Sequence, residues 1–238
     1  MTNNWAKIIS YVLHPLMMPT ILFFTLFYFV PESLKPLSSE AFLRLLSMIF
    51  IMTYILPLIS VLLFRLTYVL QFFRIRRLQR ERNISYDEAV IVVSEEDGYP
   101  ELKNLLMENK MDRIKPFLVV SMMYAFYAYF FFKGGRFNDI FGFAFTGMSI
   151  TIFLLTIITY FWKISAHSAA VSGVIGVILA VNLKYPENQL LYPLMILVIL
   201  AGTIMSARLY LNVHRPDEVL AGALLGLFIN FGLIYLFV

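Results

Sequence analysis

The segment "LNVHRPDEVLAG", residues 211–222, places a histidine, an arginine and two carboxylates at the start of a very hydrophobic stretch. Ionisable residues are costly at membrane depth and usually mark a site. Pro216 suits the first turn of a helix, so Glu218 lies about one turn in and reaches back toward His214, as in a capping box. Asp217 is an alternative partner. A carboxylate behind an imidazole selects its tautomer and stabilises its cation, which favours a nucleophilic histidine.

Two further polar clusters lie at the ends of hydrophobic stretches: "NKMDRIKP", residues 109–116, and "WKISAHSAA", residues 162–170. In the second we expect Ser165 to cap a helix whose first turn carries His167. Cations and a helix N-terminus hold phosphoryl oxygens, while one histidine attacks phosphorus and another protonates the departing oxygen. The residues that fit phosphoryl transfer are Lys110, Arg113, Lys115, Ser165, His167, Arg208, His214 and Glu218.

The composition indicates that membrane helices position these clusters. Hydrophobic residues make up 60% of the 238 residues and charged residues 14%, whereas a soluble domain has about 25% charged residues. A helix of about 20 apolar residues spans the bilayer core. The sequence therefore predicts an all-α, multi-pass transmembrane helical bundle of about six to seven spans. The candidate spans are about 9–30, 42–64, 116–132, 140–161, 166–183, 190–207 and 217–237.

The order of the spans brings the three clusters to one side of the membrane. The first cluster precedes the third span, the second joins spans four and five, and the third joins spans six and seven. Two crossings separate each cluster from the next, so the chain returns to the same face each time. We therefore expect one shared site at that face.

A charged segment separates the second and third spans. We expect its first part, up to Arg82, to extend the second span as a basic interfacial helix. Farther along, "AVIVV", residues 89–93, predicts a short strand, and "PELKNLLMENK", residues 100–110, predicts a short amphipathic helix. The predicted division of the chain is N-terminal transmembrane helices over 1–70, a charged extramembrane loop over 71–115 and a catalytic helical core over 116–238.

Prolines and small residues predict local features of the spans. Pro15 and Pro19 are expected to kink the first span and Pro57 the second. We assign the neighbouring His14 a structural role, with the lining of a substrate groove as the alternative. Small residues over 165–176, together with the Gly-x-x-x-Gly of residues 222–226, predict close packing of spans five and seven.

The clusters resemble the motifs of the type 2 phosphatidic acid phosphatase (PAP2) superfamily over roughly residues 105–237. The third motif, S-R-x5-H-x3-D followed by V-x-A-G, is matched by "ARLYLNVHRPDEVLAG" with glutamate at the aspartate position. The second motif, P-S-G-H, appears as "ISAHSA". The first, K-x6-R-P, appears only as the shorter "KMDRIKP". The matching residues are Lys110, Arg113, Lys115, Pro116, Ser165, His167, Arg208, His214, Glu218, Val219, Ala221 and Gly222.

This resemblance implies roles for the matching residues. His214 would be the nucleophile that forms a phosphohistidine, Glu218 would orient it, and His167 would be the general acid. The implied phosphate-binding groups are Arg208, Ser165, the amide of Ala166, Lys110, Arg113 and Lys115. No metal or other cofactor is implied. The implied activity is hydrolysis of a lipid phosphate monoester or pyrophosphate, such as one resembling phosphatidate, phosphatidylglycerol phosphate, polyprenyl pyrophosphate or lipid A.

Two alternatives stay open. One is an inactive relative that binds phospholipid or belongs to a membrane complex, and the other is a lipid phosphotransferase. A transporter is disfavoured because the charges gather at one face and not at the bilayer midplane, where coupling sites lie. The expected partners are a phosphorylated lipid and the membrane, and association into a homo-oligomer or a membrane complex stays open. No nucleic acid is expected, because basic groups on a membrane protein favour anionic head groups.

The loop charges predict an orientation. Most Lys and Arg residues outside the spans lie on the side of the motifs, and the positive-inside rule places that side in the cytoplasm. We expect a multi-pass protein of a bacterial inner membrane with a cytoplasmic active face.

Overall fold

The computed structural model describes residues 3–30, 38–97, 113–133, 139–185 and 189–238. Within these ranges the regular structure is helical and contains no strand, which confirms the all-α prediction. The helices are α1 (Asn3–Val12), α2 (Met18–Phe29), α3 (Ser39–Phe50), α4 (Leu56–Arg82), α5 (Tyr86–Asp97), α6 (Ile114–Lys133), α7 (Asp139–Phe161), α8 (Ala166–Lys184), α9 (Leu191–Tyr210) and α10 (Pro216–Phe237).

Seven stretches of the described residues are long and apolar enough to cross a membrane, which agrees with the predicted spans. The first combines α1 and α2, and the second combines α3 with the start of α4. The chain is therefore an integral multi-pass membrane protein. The seven stretches are Asn4–Phe29, Glu40–Leu63, Ile114–Lys133, Asp139–Phe161, Ala166–Lys184, Leu191–Tyr210 and Pro216–Phe237.

The first span is interrupted next to Pro15. Proline has no N–H to donate to the preceding turn, and it pushes the residue before it out of the helical conformation. His14 accordingly has an extended backbone with ψ 144°. A single 3₁₀ turn, Pro15–Met17, then leads into α2. The side chain of His14 thus emerges from a break in the helix.

The second span contains a π-helical segment, Ile51–Ile55, just before Pro57. In a regular helix the carbonyl oxygen of Thr53 would accept from residue 57, but proline has no N–H. The hydroxyl of Tyr124 in α6 donates to that oxygen instead, at 3.1 Å. The predicted irregularity at Pro57 therefore takes the form of a π-bulge whose carbonyl is satisfied by a neighbouring helix.

Helices α8 and α10 pack backbone to backbone, as the small residues predict. A Cβ added to Gly222 would lie 2.5 Å from the carbonyl oxygen of Ser165. A Cβ added to Gly226 would overlap the carbonyl oxygen of Ala169. Only glycine permits this approach, which holds the N-terminal ends of the two helices side by side.

The N-terminal helices pack against the rest of the bundle. Phe23 of α2 stacks on Phe141 of α7, with ring centroids 4.9 Å apart, and lies beside Phe145. Helix α1 packs on α9, and the 3₁₀ turn packs on α8. The first span therefore shares one apolar core with the C-terminal helices. The division at residues 70 and 115 stays a prediction.

The segment after the second span differs in part from the prediction. Helix α4 does continue to Arg82, and Asn83 ends it in the left-handed conformation at φ 49°. The predicted strand at residues 89–93 is wrong, because these residues lie within α5. The amphipathic helix predicted over 100–110 lies outside the described residues.

The packing of α5 explains this error. Ala89 and Val93 are four residues apart, so a helix presents both on one face. That face packs against Ile75 of α4, and all three side chains are fully buried. A short apolar run does not distinguish strand from helix by itself, and here a neighbouring helix favours the helical form.

Candidate active site

The loop between α9 and α10 reverses the chain and directs His214 inward. Asn212 adopts a left-handed conformation, φ 52°, which asparagine tolerates better than most residues. The N–H of Val213 donates to the carbonyl oxygen of Arg208 at 3.3 Å. This turn places His214 next to the first residues of α10, where it is only 7% exposed.

His214 and Glu218 form a buried hydrogen-bonded pair. The Nδ1 of His214 lies 2.8 Å from Oε2 of Glu218. The same carboxylate accepts from the backbone N–H of Arg215 at 3.2 Å, as expected for a glutamate that caps its own helix. Asp217 instead pairs with the exposed side chain of Arg215 at 3.1 Å, so the alternative partner for His214 is excluded.

This pairing assigns the two nitrogens of His214. A carboxylate only accepts hydrogen bonds, so Nδ1 carries the hydrogen and donates it. The other nitrogen, Nε2, then holds a lone pair, and His214 lines a cavity inside the bundle. Nε2 is therefore the nitrogen of this cavity-lining histidine that can act as a nucleophile.

Burial lowers the pKa of His214 from its ordinary value of 6.5. The hydrogen bond with Glu218 opposes this shift, and the charges of Arg208 and Lys163 add to it. Burial disfavours the charged imidazolium, and nearby cations act in the same direction. The ring is consequently neutral at neutral pH, the form in which Nε2 can attack.

Ser165 caps α8 as predicted. Its backbone is extended, and its Oγ accepts from the N–H of Ser168 at 3.4 Å and from the hydroxyl of Ser168 at 2.9 Å. The N–H of Ser165 donates to the carbonyl oxygen of Glu218 at 3.2 Å. Ser165 is fully buried and is not among the residues that line the cavity. Its hydroxyl therefore serves the helix end in this conformation.

His167 lies in the first turn of α8 and contacts the N-terminal span. Its Nε2 lies 3.2 Å from the carbonyl oxygen of Ser10. A carbonyl oxygen accepts, so Nε2 carries the hydrogen, and Nδ1 is the nitrogen that this hydrogen bond leaves available. The ring also lies edge-on to that of His14, with centroids 5.9 Å apart and an interplanar angle of 75°.

These side chains share one cavity of about 370 Å³. Its histidine and arginine lining residues are His14, Arg113, His167, Arg208 and His214. Most of the remaining wall is apolar: Leu16, Met18, Val61, Phe117, Val120, Met148, Ile152, Leu155, Ala169, Ala170 and Val174. The cavity thus combines a cationic, histidine-rich part with an apolar part.

Arg208 presents a feature typical of an anion site. Its Nε is buried and has no hydrogen-bond partner among the described residues. Buried donors are normally paired, and an unpaired one calls for an explanation. A guanidinium binds phosphate oxygens in a fork geometry, so a phosphate in the cavity would supply the partner.

The other predicted phosphate ligands differ in placement. Arg113 and Ala166 line the cavity. Lys115 lies on the first turn of α6, is exposed and is not among the lining residues. Lys110 lies outside the described residues. The structure therefore brings Arg113 and Ala166 together with the three histidines, but not Lys115.

His14 lines the cavity, which agrees with the alternative of a groove-lining residue and not with the favoured, purely structural role. The available signal was its type, since an ionisable residue inside a membrane span suggests a site by default. The following proline indicated a helix break at the same point. Which neighbours His14 meets depends on helix packing, which the local sequence does not reveal.

Residues 146–238 match the family model of the PAP2 superfamily. The matched range runs from α7 to the end of α10 and includes both His167 and His214. This part of the chain belongs to the PAP2 superfamily. Members of this superfamily generally hydrolyse phosphate esters, and the similarity covers the C-terminal part of an integral membrane protein. No curated protein and no solved structure matches it.

Proposed function

We propose that this protein is an integral membrane lipid phosphatase that hydrolyses a phosphate monoester or pyrophosphate of a lipid through a phosphohistidine. The observation that carries the proposal is the buried pair of His214 and Glu218, 2.8 Å apart, at a cavity shared with His167 and Arg208. A neutral, oriented imidazole beside a buried guanidinium suits attack on phosphorus.

The cavity wall supports a lipid as the substrate. A soluble phosphate ester would gain little from an apolar surface, whereas a lipid chain would bury apolar area there. The cavity lies among helices that are long and apolar enough to span the membrane, which suits a substrate whose tail stays in the bilayer. The candidate head groups are those of phosphatidate, phosphatidylglycerol phosphate, polyprenyl pyrophosphate and a lipid A phosphate.

The first step forms the phosphoenzyme. The Nε2 lone pair of His214 attacks phosphorus, and the bond from phosphorus to the leaving oxygen breaks. Glu218 stabilises the imidazolium character that develops on His214. His167, protonated on Nδ1, gives that proton to the leaving oxygen. The lipid alcohol or lipid monophosphate then departs.

The second step regenerates the enzyme. Water attacks the phosphorus of the phosphohistidine and loses a proton to Nδ1 of His167. The N–P bond breaks, its electron pair returns to Nε2 of His214, and inorganic phosphate leaves. The same histidine thus acts as acid in one step and base in the other, as reversibility of the two half-reactions requires.

The phosphoryl oxygens need groups that neutralise their charge. We assign this role to Arg208 and Arg113, both of which line the cavity, and to the amide of Ala166 at the N-terminus of α8. A helix N-terminus favours anions because its first amides are not bonded within the helix. Lys110, Lys115 and the Ser165 hydroxyl stay predicted ligands.

A phosphate-release screen over the four lipid phosphates, with the full chain purified in detergent and a chelator present, tests the proposal. We expect release that vanadate inhibits and that His214→Ala abolishes. A base-stable, acid-labile phosphoenzyme should form in the wild type and be absent in that variant. His167→Ala should slow turnover, because it removes the acid and base but leaves the nucleophile His214 in place.

Arg215→Gln serves as the matched control, because Arg215 adjoins His214 but its side chain is 75% exposed. Full activity of His214→Ala would contradict the proposal. Lipid binding without turnover, unchanged in His214→Ala, would indicate the non-catalytic alternative. Transfer of phosphate to an added lipid acceptor in preference to water would indicate the phosphotransferase.

A further inference from the structure

The chain contains three histidines, and all three line the same cavity. His167 and His214 belong to the region that matches the PAP2 superfamily, residues 146–238. His14 belongs to the first span, well outside that region. Its presence at the cavity therefore needs a separate account.

The break in the first span holds the ring of His14 in one orientation. Its Nδ1 accepts a hydrogen bond from the backbone N–H of Leu16 at 3.3 Å and so caps the 3₁₀ turn. An accepting nitrogen carries no hydrogen, so the hydrogen of the neutral ring lies on Nε2. Within the described part of the chain, this Nε2 has no hydrogen-bond partner.

On each of the other two rings one nitrogen is hydrogen-bonded and the second, here called the open nitrogen, is not. On His214, Nδ1 donates to Glu218, and the open Nε2 carries a lone pair and no hydrogen. On His167, Nε2 donates to Ser10 and the open Nδ1 bears a hydrogen only when the ring is charged. His14 is thus the histidine of the cavity whose open nitrogen is a donor in the neutral ring.

The surroundings of His14 favour an anion as the acceptor. Its ring lies edge-on to His167, with centroids 5.9 Å apart. His14 lines the same cavity as Arg208, Arg113 and His214. A metal is not indicated, because no group of three His, Cys, Asp or Glu side chains in the described ranges could hold one.

We propose that His14 is a phosphate-binding residue whose Nε2–H donates to a phosphoryl oxygen of the substrate. This proposal rests on the phosphatase function proposed above. A neutral donor contributes a directed hydrogen bond without adding a further positive charge next to Arg208 and the histidines. The first span would then complete a site whose other residues come from the C-terminal helices.

Two substitutions distinguish the roles of the two ring nitrogens of His14. His14→Asn retains an acceptor near the position of Nδ1, and asparagine caps helix starts well, but it removes the Nε2 donor. His14→Gln retains an amide N–H near the position of Nε2 and loses the short-range cap. The variants therefore differ in which function of the imidazole they keep.

Orthovanadate binding to the purified full chain provides the readout, measured by calorimetry so that no turnover is required. A hydrogen bond to a charged group contributes about tenfold to a hundredfold in affinity. We expect His14→Asn to weaken binding and raise the KM for lipid phosphate by that factor, while His14→Gln stays within about threefold of the wild type. The melting temperature should show the reverse order, because the cap depends on Nδ1.

Wild-type affinity in His14→Asn would overturn the proposal, and so would binding in His14→Gln as weak as in His14→Asn. Absence of turnover by the wild type would instead contradict the phosphatase function. The vanadate titration thus tests the role of His14, and the phosphate-release assay separately tests the phosphatase function.

Discussion

The backbone N–H of Ser165 donates to the carbonyl oxygen of Glu218 at 3.2 Å, which joins the start of α8 to the start of α10. Gly222 lets the two backbones come this close, because any side chain there would meet the Ser165 carbonyl. His167 lies two residues after Ser165, and His214 is bonded to Glu218. This backbone hydrogen bond therefore links the two helix starts that carry the histidines.

The first prediction concerns the glutamate that stands where the PAP2 motif has aspartate. Glu218 already reaches His214 at 2.8 Å, so Glu218→Asp would withdraw the carboxylate by roughly one C–C bond, ~1.5 Å. A displacement of that size costs about 10²-fold in rate. We expect kcat/KM for the lipid phosphate to fall by about that factor, although the change restores the motif. The control is Asp217→Asn, at an exposed side chain paired with Arg215, which should leave kcat/KM unchanged. Equal activity of Glu218→Asp and the wild type would contradict the prediction.

The second prediction is the pH dependence of kcat/KM. The nucleophile must be neutral, and burial lowers the pKa of His214, so activity should persist below the ordinary histidine pKa of 6.5 and decline only at more acid pH. The charged groups that act on His214 are Glu218, Arg208 and Lys163. Glu218→Gln removes the group that raises this pKa, so the acid limb should move to still lower pH while the maximum falls. Profiles of both proteins on one substrate measure the shift, and a limb that moved upward would refute the assignment of His214.

The third prediction concerns the packing of α8 on α10. In Gly226→Ala the new methyl would overlap the carbonyl oxygen of Ala169, which belongs to a backbone and cannot move aside. Overpacking of this kind costs about 1–3 kcal/mol, more than the ~1 kcal/mol that alanine gains over glycine in a helix. We expect a lower melting temperature in detergent. Gly232→Ala, where a Cβ meets nothing within 4 Å, is the matched control. The packing interpretation requires that only Gly226→Ala destabilises the protein.

The fourth prediction concerns the side of the membrane, for which we propose a cytoplasmic active face. The chain has no cysteine, so single cysteines can be labelled selectively. Asn83 and Gln189 are exposed and lie at loops on opposite sides of the bundle, the former on the side of the motifs. We expect Gln189→Cys to react with an impermeant maleimide in intact cells, and Asn83→Cys to react only after permeabilisation. The opposite labelling pattern would place the active face outside the cytoplasm.

Local spacing was sufficient to predict several features. Runs of about 20 apolar residues require membrane-spanning helices, because a bilayer offers the backbone no other partner. The pairing of His214 with Glu218 follows from the position of Glu218 in the first turn of a helix, where its side chain reaches back to the residues before the helix as in a capping box. The capping role of Ser165 is likewise local, since it involves residues within one turn.

Other features depend on contacts between distant segments. The strand predicted at residues 89–93 is a helix because α4 offers a partner for one helical face. Lys115 belongs to the same basic cluster as Arg113, but only Arg113 lines the cavity. Residues two positions apart at the start of a helix point in different directions, so sequence proximity did not decide which cation enters the site.

The sequence by itself determined that the chain crosses the membrane repeatedly and that residue types suited to phosphoryl transfer gather at one face. Hydrophobic length and the number of crossings are enough for this, because both can be counted along the chain without knowing how the helices pack. Only the tertiary structure decided that the first span enters the site: Ser10 and His167 are 157 positions apart, and their contact arises from the packing of helices that no local pattern encodes. The same packing decided that His14 lines the cavity.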